Sequence, residues 1–366
     1  MKKSLSRVLC LLLISSILFG ALAGCGGGKS GSASGGSSSS SSSSGGSSSS
    51  GEKIELSFSH HDTTTSVWHA YFTEWANNIM AESNCEITIY PGATLAATGD
   101  GLNALRTGVC DILWTNMAFF AGQFPVTEGV ILPMIGNGAN GEQFTNALWD
   151  LWEDEEVGPA LRNDWSEFKM CILHASPTFP LGLKEPGSSP ADLAGRTVRA
   201  PAGGLTGLMT AAGLNPVLTP PGDIYTSMDK GIIEGYMLDY SGIPGFALEE
   251  VTDYMLDISA MNQFMCVIMY QETFDALPDD VKAAIDKYAV RETALKLARN
   301  CDEFAAECKG NFEEKGTLIP LSDEDLAAWE AAGKVVQDQW VADTASIHDS
   351  QKFLDRLIEY IEKYTA

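Results

Sequence analysis

The feature that most constrains this fold is a short pattern that occurs twice. "LRTGVCDIL" (residues 105–113) and "MDKGIIEGY" (228–236) both read polar pair, Gly, apolar, any residue, acid. In each, the glycine suits the left-handed position that ends a helix, and the apolar residues after it open a strand. The segments upstream match as well. "KIELSFSH" alternates apolar Ile54, Leu56 and Phe58 with polar neighbours and predicts a first strand. Trp68, Tyr71, Phe72, Trp75 and Ile79 follow at spacings of three and four, an amphipathic helix with an aromatic face. "CEITIYPG" predicts a second strand, and the helix–Gly108–strand phrase then ends at Thr115 and Asn116. In the second half, "DLAGRTVRAPAG" is a strand entering a turn, "LTGLMTAAG" a helix stopped by Gly213, and "NPVLTPP" a strand; the helix–Gly231–strand phrase follows. Strands and helices alternating in this order build two similar α/β lobes.

Beyond them, "QFMCVIMYQETFDALP" predicts a buried strand returning to the first lobe. The run 278–316 reads as one long helix, and residues 322–340 and 350–364 as two more, the first of these capped by Ser322. The expected organisation is lobe 1 from residues 53–175 and 262–290, lobe 2 from 176–261, and long C-terminal helices from 279–366 packing across both. Two lobes crossed by several segments outline a cleft.

The amino-terminal end sets the expected compartment. Lys2, Lys3 and Arg7 precede an apolar run from Val8 to Phe19, the layout of an export signal over residues 1–24. That run is shorter than the ~20 apolar residues of a membrane span. "LAGC" resembles a bacterial lipobox, which implies cleavage before Cys25 and lipidation of its thiol. Residues 25–52 are nearly all Ser and Gly, with almost no apolar surface to bury, and predict a tether spanning about 25–30 Å. "GGGKS" within it lacks the first glycine of a phosphate-binding loop, since Ala23 stands there.

The chain carries 23 Lys+Arg against 48 Asp+Glu, a formal charge of −25. Loss of the signal removes three positive charges and no negative ones, giving −28. Nucleic acid and anionic membrane surfaces are therefore poor electrostatic partners, and no nucleic-acid partner is expected. Of eight cysteines, six follow Cys25 and none has CxxC spacing, which argues against a zinc site. Cys301 and Cys308 share one predicted helix about 10 Å apart, too far for a disulfide. The other cysteines are not paired by sequence.

Nothing in the sequence asks for catalysis, and neither a metal nor a cofactor is expected. His60 and His61 are adjacent on an extended segment and point opposite ways. His69 and His174 fit structural roles better than ligand roles. No HExxH, G-x-S-x-G or βαβ-embedded GxGxxG motif occurs. Arg199 differs from these. It ends a predicted strand just before "PAGG", at the carboxyl end where open α/β sheets bind ligands, with a helix amino terminus expected beside it. Its guanidinium matches a carboxylate in shape and charge. A structural ion pair is the competing reading for it, and Arg196 reads as solvated surface.

The run "GRTVRAPAGGLTGLMTAAGLNPVLTPPGDIYTSMDKGIIEGYML", with "IELSFSHH", "ITIYPGATLA" and "EGVILPM" elsewhere, resembles the solute-binding proteins of tripartite ATP-independent periplasmic (TRAP) transporters over residues 54–330. The resemblance implies a periplasmic-binding-protein-like flytrap that closes on an organic acid and passes it to a small and a large integral membrane subunit. It implies an extracytoplasmic, lipid-anchored, monomeric receptor in which Arg199 clamps the ligand carboxylate. Wall positions by the same correspondence are the loop from His61 to Thr64, Asn116, Thr178 and Phe179, and Leu238, Asp239 and Tyr240. Many family members carry Asn at the position of Leu238 and a further Arg near Phe179, and this chain has neither. The ligand is thus expected to be more apolar or aromatic than a sugar acid. Trp114, Phe119, Phe120 and Tyr240 are candidates to line its pocket, although aromatic residues at such spacings usually pack in cores. The receptor of an ATP-driven importer, a surface hydrolase and an adhesion module are the alternative readings.

Overall fold

A computed structural model describes residues 53–136, 138–201 and 203–366. The export signal, Cys25 and the Ser/Gly tether lie outside the described residues. The first β-α-β-α-β run comprises β1 (Ile54–Ser59), α1 (Val67–Glu82), β2 (Cys85–Tyr90), α2 (Gly101–Arg106) and β3 (Ile112–Asn116). β1 lies between β2 and β3, parallel to both. Ser66 caps α1 by accepting from the His69 N–H, and Trp68, Tyr71, Phe72, Trp75 and Ile79 are all buried, as their spacing predicts. Each such side chain contributes about 1.5–3 kcal/mol by leaving water. α3 (Gly141–Glu153), α4 (Gly158–Asp164) and β4 (Phe168–Ala175) follow.

The second run comprises β5 (Leu181–Leu183), α5 (Pro190–Leu193), β6 (Thr197–Arg199), α6 (Gly204–Ala211), β7 (Asn215–Val217), α7 (Ile224–Asp229), β8 (Gly235–Met237) and β9 (Tyr254–Leu256). Here β6 lies between β7 and β8, parallel to both. β5 is antiparallel to β8 and β9.

The repeated phrase does the same mechanical work in both lobes. Gly108 (φ +70°) and Gly231 (φ +66°) are left-handed. At the first, Gly108 N–H donates to the Leu105 carbonyl and Val109 N–H to that of Ala104. At the second, Gly231 donates to Met228 and Ile232 to Ser227, closing α7 with the same pair of bonds. The acid that completes the phrase reaches the neighbouring parallel strand. Asp111 Oδ2 accepts from Ser57 N at 2.8 Å and Ser57 Oγ at 2.7 Å. Glu234 Oε2 accepts from Thr197 N at 2.9 Å. The pattern therefore ends a helix and anchors β3 to β1, or β8 to β6.

The chain returns through β10 (Phe264–Tyr270), which inserts antiparallel between β3 and β4 and completes a five-stranded sheet. α8 (Gln271–Asp275), α9 (Asp279–Tyr288), α10 (Arg291–Glu313), β11 (Thr317–Ile319), α11 (Asp323–Thr344) and α12 (Ser350–Thr365) close the chain. One expectation is corrected here. The single helix expected over 278–316 is two, because Val290 takes an extended conformation (φ −127°, ψ 157°), which suits its β-branched side chain. The break lets α9 pack on α1, while α10 runs from one lobe to the other. Ala294, Leu297 and Cys301 of α10 join the core around α1, and Ala305, Cys308 and Phe312 join that of the second lobe. Thr317–Ile319, which no sequence pattern assigns, forms β11, which pairs parallel with β9 and makes the second sheet six-stranded.

Two segments cross between the sheets and pair with each other. Phe179 N donates to the Met261 carbonyl, Ala260 N to that of Phe179, and Ser176 N to that of Gln263. Asn262 Nδ2 ties the crossing to the Ala139 and Ser176 carbonyls. All six cysteines among the described residues are free and buried.

Candidate functional site

A cavity of about 60 Å³ lies where the carboxyl ends of parallel strands from both sheets meet. The first lobe contributes His61 and Asp62 after β1, Trp68 from α1, and Trp114, Asn116 and Phe119 from the end of β3 onward. The second contributes Arg199 at the end of β6, Leu238 and Asp239 after β8, and Pro201, Pro221 and Phe246 from loops. A second space of about 230 Å³ shares Phe119, Arg199, Pro201 and Pro221 and extends past Thr98 and Leu218. Strand ends supply ligand sites because side chains there are held by the sheet while the following loops remain free to vary.

Arg199 is only 4% exposed. Its Nε donates to the Thr219 carbonyl at 3.0 Å and its Nη1 to the Met237 carbonyl at 2.6 Å. Both carbonyls belong to segments leaving or ending the neighbouring strands β7 and β8, so the sheet fixes the plane of the guanidinium. Among the described residues Nη2 carries no hydrogen bond. Burial pushes the Arg199 pKa down to about 10, against the pull of nearby Asp239, so it is charged at neutral pH. Arg196, read from sequence as solvated surface, is half-buried and donates to the Glu185 and Pro186 carbonyls in an exposed setting, pinning the turn before α5.

The aromatic wall is held from behind. Trp114 Nε1 donates to His174 Nε2 at 3.0 Å, and His174 Nδ1 lies 3.2 Å from the Ala175 carbonyl. That pair of contacts requires the proton on Nδ1. Burial lowers the His174 pKa to about 3, so the ring stays neutral and accepts from the indole. Trp114 stacks on His61 with ring centres 4.5 Å apart and planes 5° from parallel. Phe119 meets His61 edge-on at 5.0 Å. His60 points the other way, its Nε2 2.9 Å from His69 Nδ1 and its ring against Phe72. Burial holds both His60 and His61 below the ordinary imidazole range.

Two carboxyl groups complete the wall. Asp62 accepts from Thr63 N at 2.8 Å, and burial raises its pKa to about 6, with a further push from the charge of Asp239. Asp239 accepts from the Ser241 hydroxyl and is also raised by burial.

Of the residues named from sequence, the fold brings together His61, Asn116, Phe179, Arg199, Leu238 and Asp239, with Trp114 and Phe119 beside them. Thr64 is exposed, and Thr178 is not among the lining residues. Tyr240 packs in the second-lobe core under Lys309, and Phe120 packs in the first. A Cβ on Gly204 would come within 2.5 Å of the Ile131 carbonyl, so the start of α6 is pressed against the first lobe. Asp62 lay inside the loop named from sequence but was not singled out, and its burial was not foreseeable from a polar stretch. Trp68 and Met265 carried only the signal of core positions. Among the described residues no group of three or more His, Cys, Asp or Glu is arranged to hold a metal.

Residues 58–343 match the family model of the bacterial extracellular solute-binding proteins, family 7. A solute-binding protein of Roseobacter denitrificans is 22% identical over 296 residues, covering 77% of this chain and 86% of the relative. A marine metagenome TRAP solute-binding protein specific for aromatic acid ligands, solved with metahydroxyphenylacetate, is 25% identical with a TM-score of 0.78, covering 86% of this chain and 100% of that one. A TRAP solute-binding protein from Rhodoferax ferrireducens, solved with copurified benzoate, shares the fold at a TM-score of 0.77 and 22% identity, over 86% of this chain and 99% of that one.

Proposed function

The chain belongs to family 7 of the bacterial extracellular solute-binding proteins, the TRAP solute-binding proteins, and we propose that it captures a small organic acid through Arg199 and delivers it to the membrane subunits of a TRAP transporter. The observation that carries this reading is Arg199 itself: a buried, charged guanidinium, held by two backbone carbonyls, facing an interlobe cavity with Nη2 unpaired among the described residues. A buried cation without a counter-charge in contact is costly. A ligand carboxylate supplies that counter-charge when the lobes close around it. The apolar lining from Trp68, Trp114, Phe119, Phe179, Phe246 and Leu238 supports a compact, apolar or aromatic acid over a polyhydroxylated one. The aromatic-acid specificity of the marine metagenome relative supports the same class. Lipidation of Cys25 and the tether that follows would hold the receptor, as a monomer, at the outer face of the membrane beside its transporter.

The test is calorimetric titration of the purified protein with a panel of small carboxylates, followed by Arg199→Ala and Arg199→Lys. Removing one partner of a buried charge pair costs about 2–5 kcal/mol, roughly 30-fold to several thousand-fold in affinity. Lysine keeps the charge but not the two backbone bonds that orient the fork, so it is expected to lose binding too. Unchanged affinity in both variants would sink the assignment.

A further inference from the structure

The charges facing the cavity do not suit a simple anion. The titratable side chains that line it are His61, Asp62, Arg199 and Asp239. His61 is held neutral by burial. Arg199 and Asp239 belong to the same lobe and sit at the ends of adjacent parallel strands. There Asp239 pulls on the guanidinium without pairing with it, so their charges sum to near zero while Arg199 stays free to take a carboxylate. Asp62 stands in the opposite lobe, and no lysine or arginine of that lobe lines the cavity. It is 8% exposed and accepts a hydrogen bond from the Thr63 N–H. A monocarboxylate on Arg199 would add a second uncompensated negative charge beside groups that are largely buried, where such charges repel strongly.

We propose that the ligand is a zwitterion, a compact amino acid with an apolar or aromatic side chain, whose carboxylate meets Arg199 of the second lobe and whose ammonium meets Asp62 of the first. This rests on the Arg199 reading above and deepens it. One ligand then bridges two opposite charges, one from each lobe, so neither end binds fully unless the lobes are closed. The aromatic residues and Leu238 take the side chain. Asp62 lies three residues past Ser59, the last residue of β1 and the first-lobe counterpart of Arg199 in the strand pairing: Ser59 pairs with Leu113 as Arg199 pairs with Tyr236. The two lobes thus present their opposite charges from matching strand ends.

Two series of probes that differ in a single substituent test this by calorimetry on the purified protein. The first is isovalerate, 2-hydroxyisovalerate and valine; the second is phenylacetate, mandelate and phenylglycine. The expected result is that the amino acid binds about 30-fold or more tightly than the unsubstituted acid in at least one series, the loss typical of removing one partner of a buried charge pair. Asp62→Asn, which keeps the shape and the Thr63 bond, is expected to erase that preference. An unsubstituted or hydroxy acid that binds as tightly as its amino acid overturns the proposal, and so does a preference that survives in Asp62→Asn. Failure of both amino acids to bind at millimolar concentration overturns it as well. Arg199→Ala decides the carboxylate reading separately: it is expected to abolish binding of every probe that binds, whichever substituent the probe carries.

Discussion

His174→Phe probes how the cavity wall is held, because it removes a buried acceptor while keeping a ring of similar shape. His174 is 0% exposed and Trp114 1% exposed. The phenyl ring leaves the Trp114 indole N–H without its 3.0 Å partner. An orphaned buried donor costs about 1–3 kcal/mol, and volume is nearly conserved, so the expected loss is about 2 kcal/mol. In a chain of this size that lowers Tm by about 3 °C. The second signature is pH. His174 stays neutral in the fold down to about pH 3, whereas its unfolded pKa is near 6.5. Below 6.5 the unfolded chain takes up a proton that the fold refuses, so the contribution is present above 6.5 and lost as pH falls. Between pH 6.5 and 5 that amounts to about 2 kcal/mol. The assay is urea unfolding followed by tryptophan fluorescence at both pH values. His174→Phe should be less stable at pH 7 but lose less on acidification than the parent. A double-mutant cycle with Trp114→Phe should return a coupling of about 1–2 kcal/mol. Strict additivity, or an unchanged pH slope, would refute the claim that a neutral His174 holds the indole.

Other outcomes are expected from the same geometry. Asp111→Ala removes acceptors for both Ser57 N–H and Ser57 Oγ in a partly buried setting, whereas Glu234→Ala removes one bond in an exposed one. The first should cost about 2–4 kcal/mol and the second under about 1 kcal/mol by denaturant midpoints, and equal losses would discard the anchoring role. Asp62 has a pKa of about 6 in the fold, above the ordinary carboxyl value. The fold therefore favours its protonated form, and stability should fall as pH rises from about 4 to 6, by at most about 3 kcal/mol. Asp62→Asn should flatten that segment of the stability profile, and an identical slope in the variant would count against the burial of its charge.

Much of the fold was legible because its signals are local. Helix amphipathicity, strand alternation and a glycine at each helix end depend on neighbours in sequence, and the twice-used phrase at 105–113 and 228–236 announced two lobes. Arg199 was legible for a related reason: a scarce cation at a strand's carboxyl end is a local anomaly. The break at Ala289–Val290 was harder to see, because both flanking stretches are helical in pattern and only packing on α1 and across to the second lobe decides where one ends. β11 was invisible for the converse reason, since three residues become a strand only when β9 offers them a free edge.

By itself, then, the sequence determined the element order, the lobe repeat and the placement of one arginine where strands end, since periodicity and chain direction are properties of consecutive residues. Only the tertiary structure decided which groups share the cavity. It turned His61 onto Trp114 and sent Tyr240 and Phe120 into cores. It pressed the start of α6 against Ile131. It also buried Asp62 and Asp239 around one cavity, from opposite lobes. Burial and pairing between residues more than a hundred positions apart depend on how two sheets meet, and no local pattern carries that information.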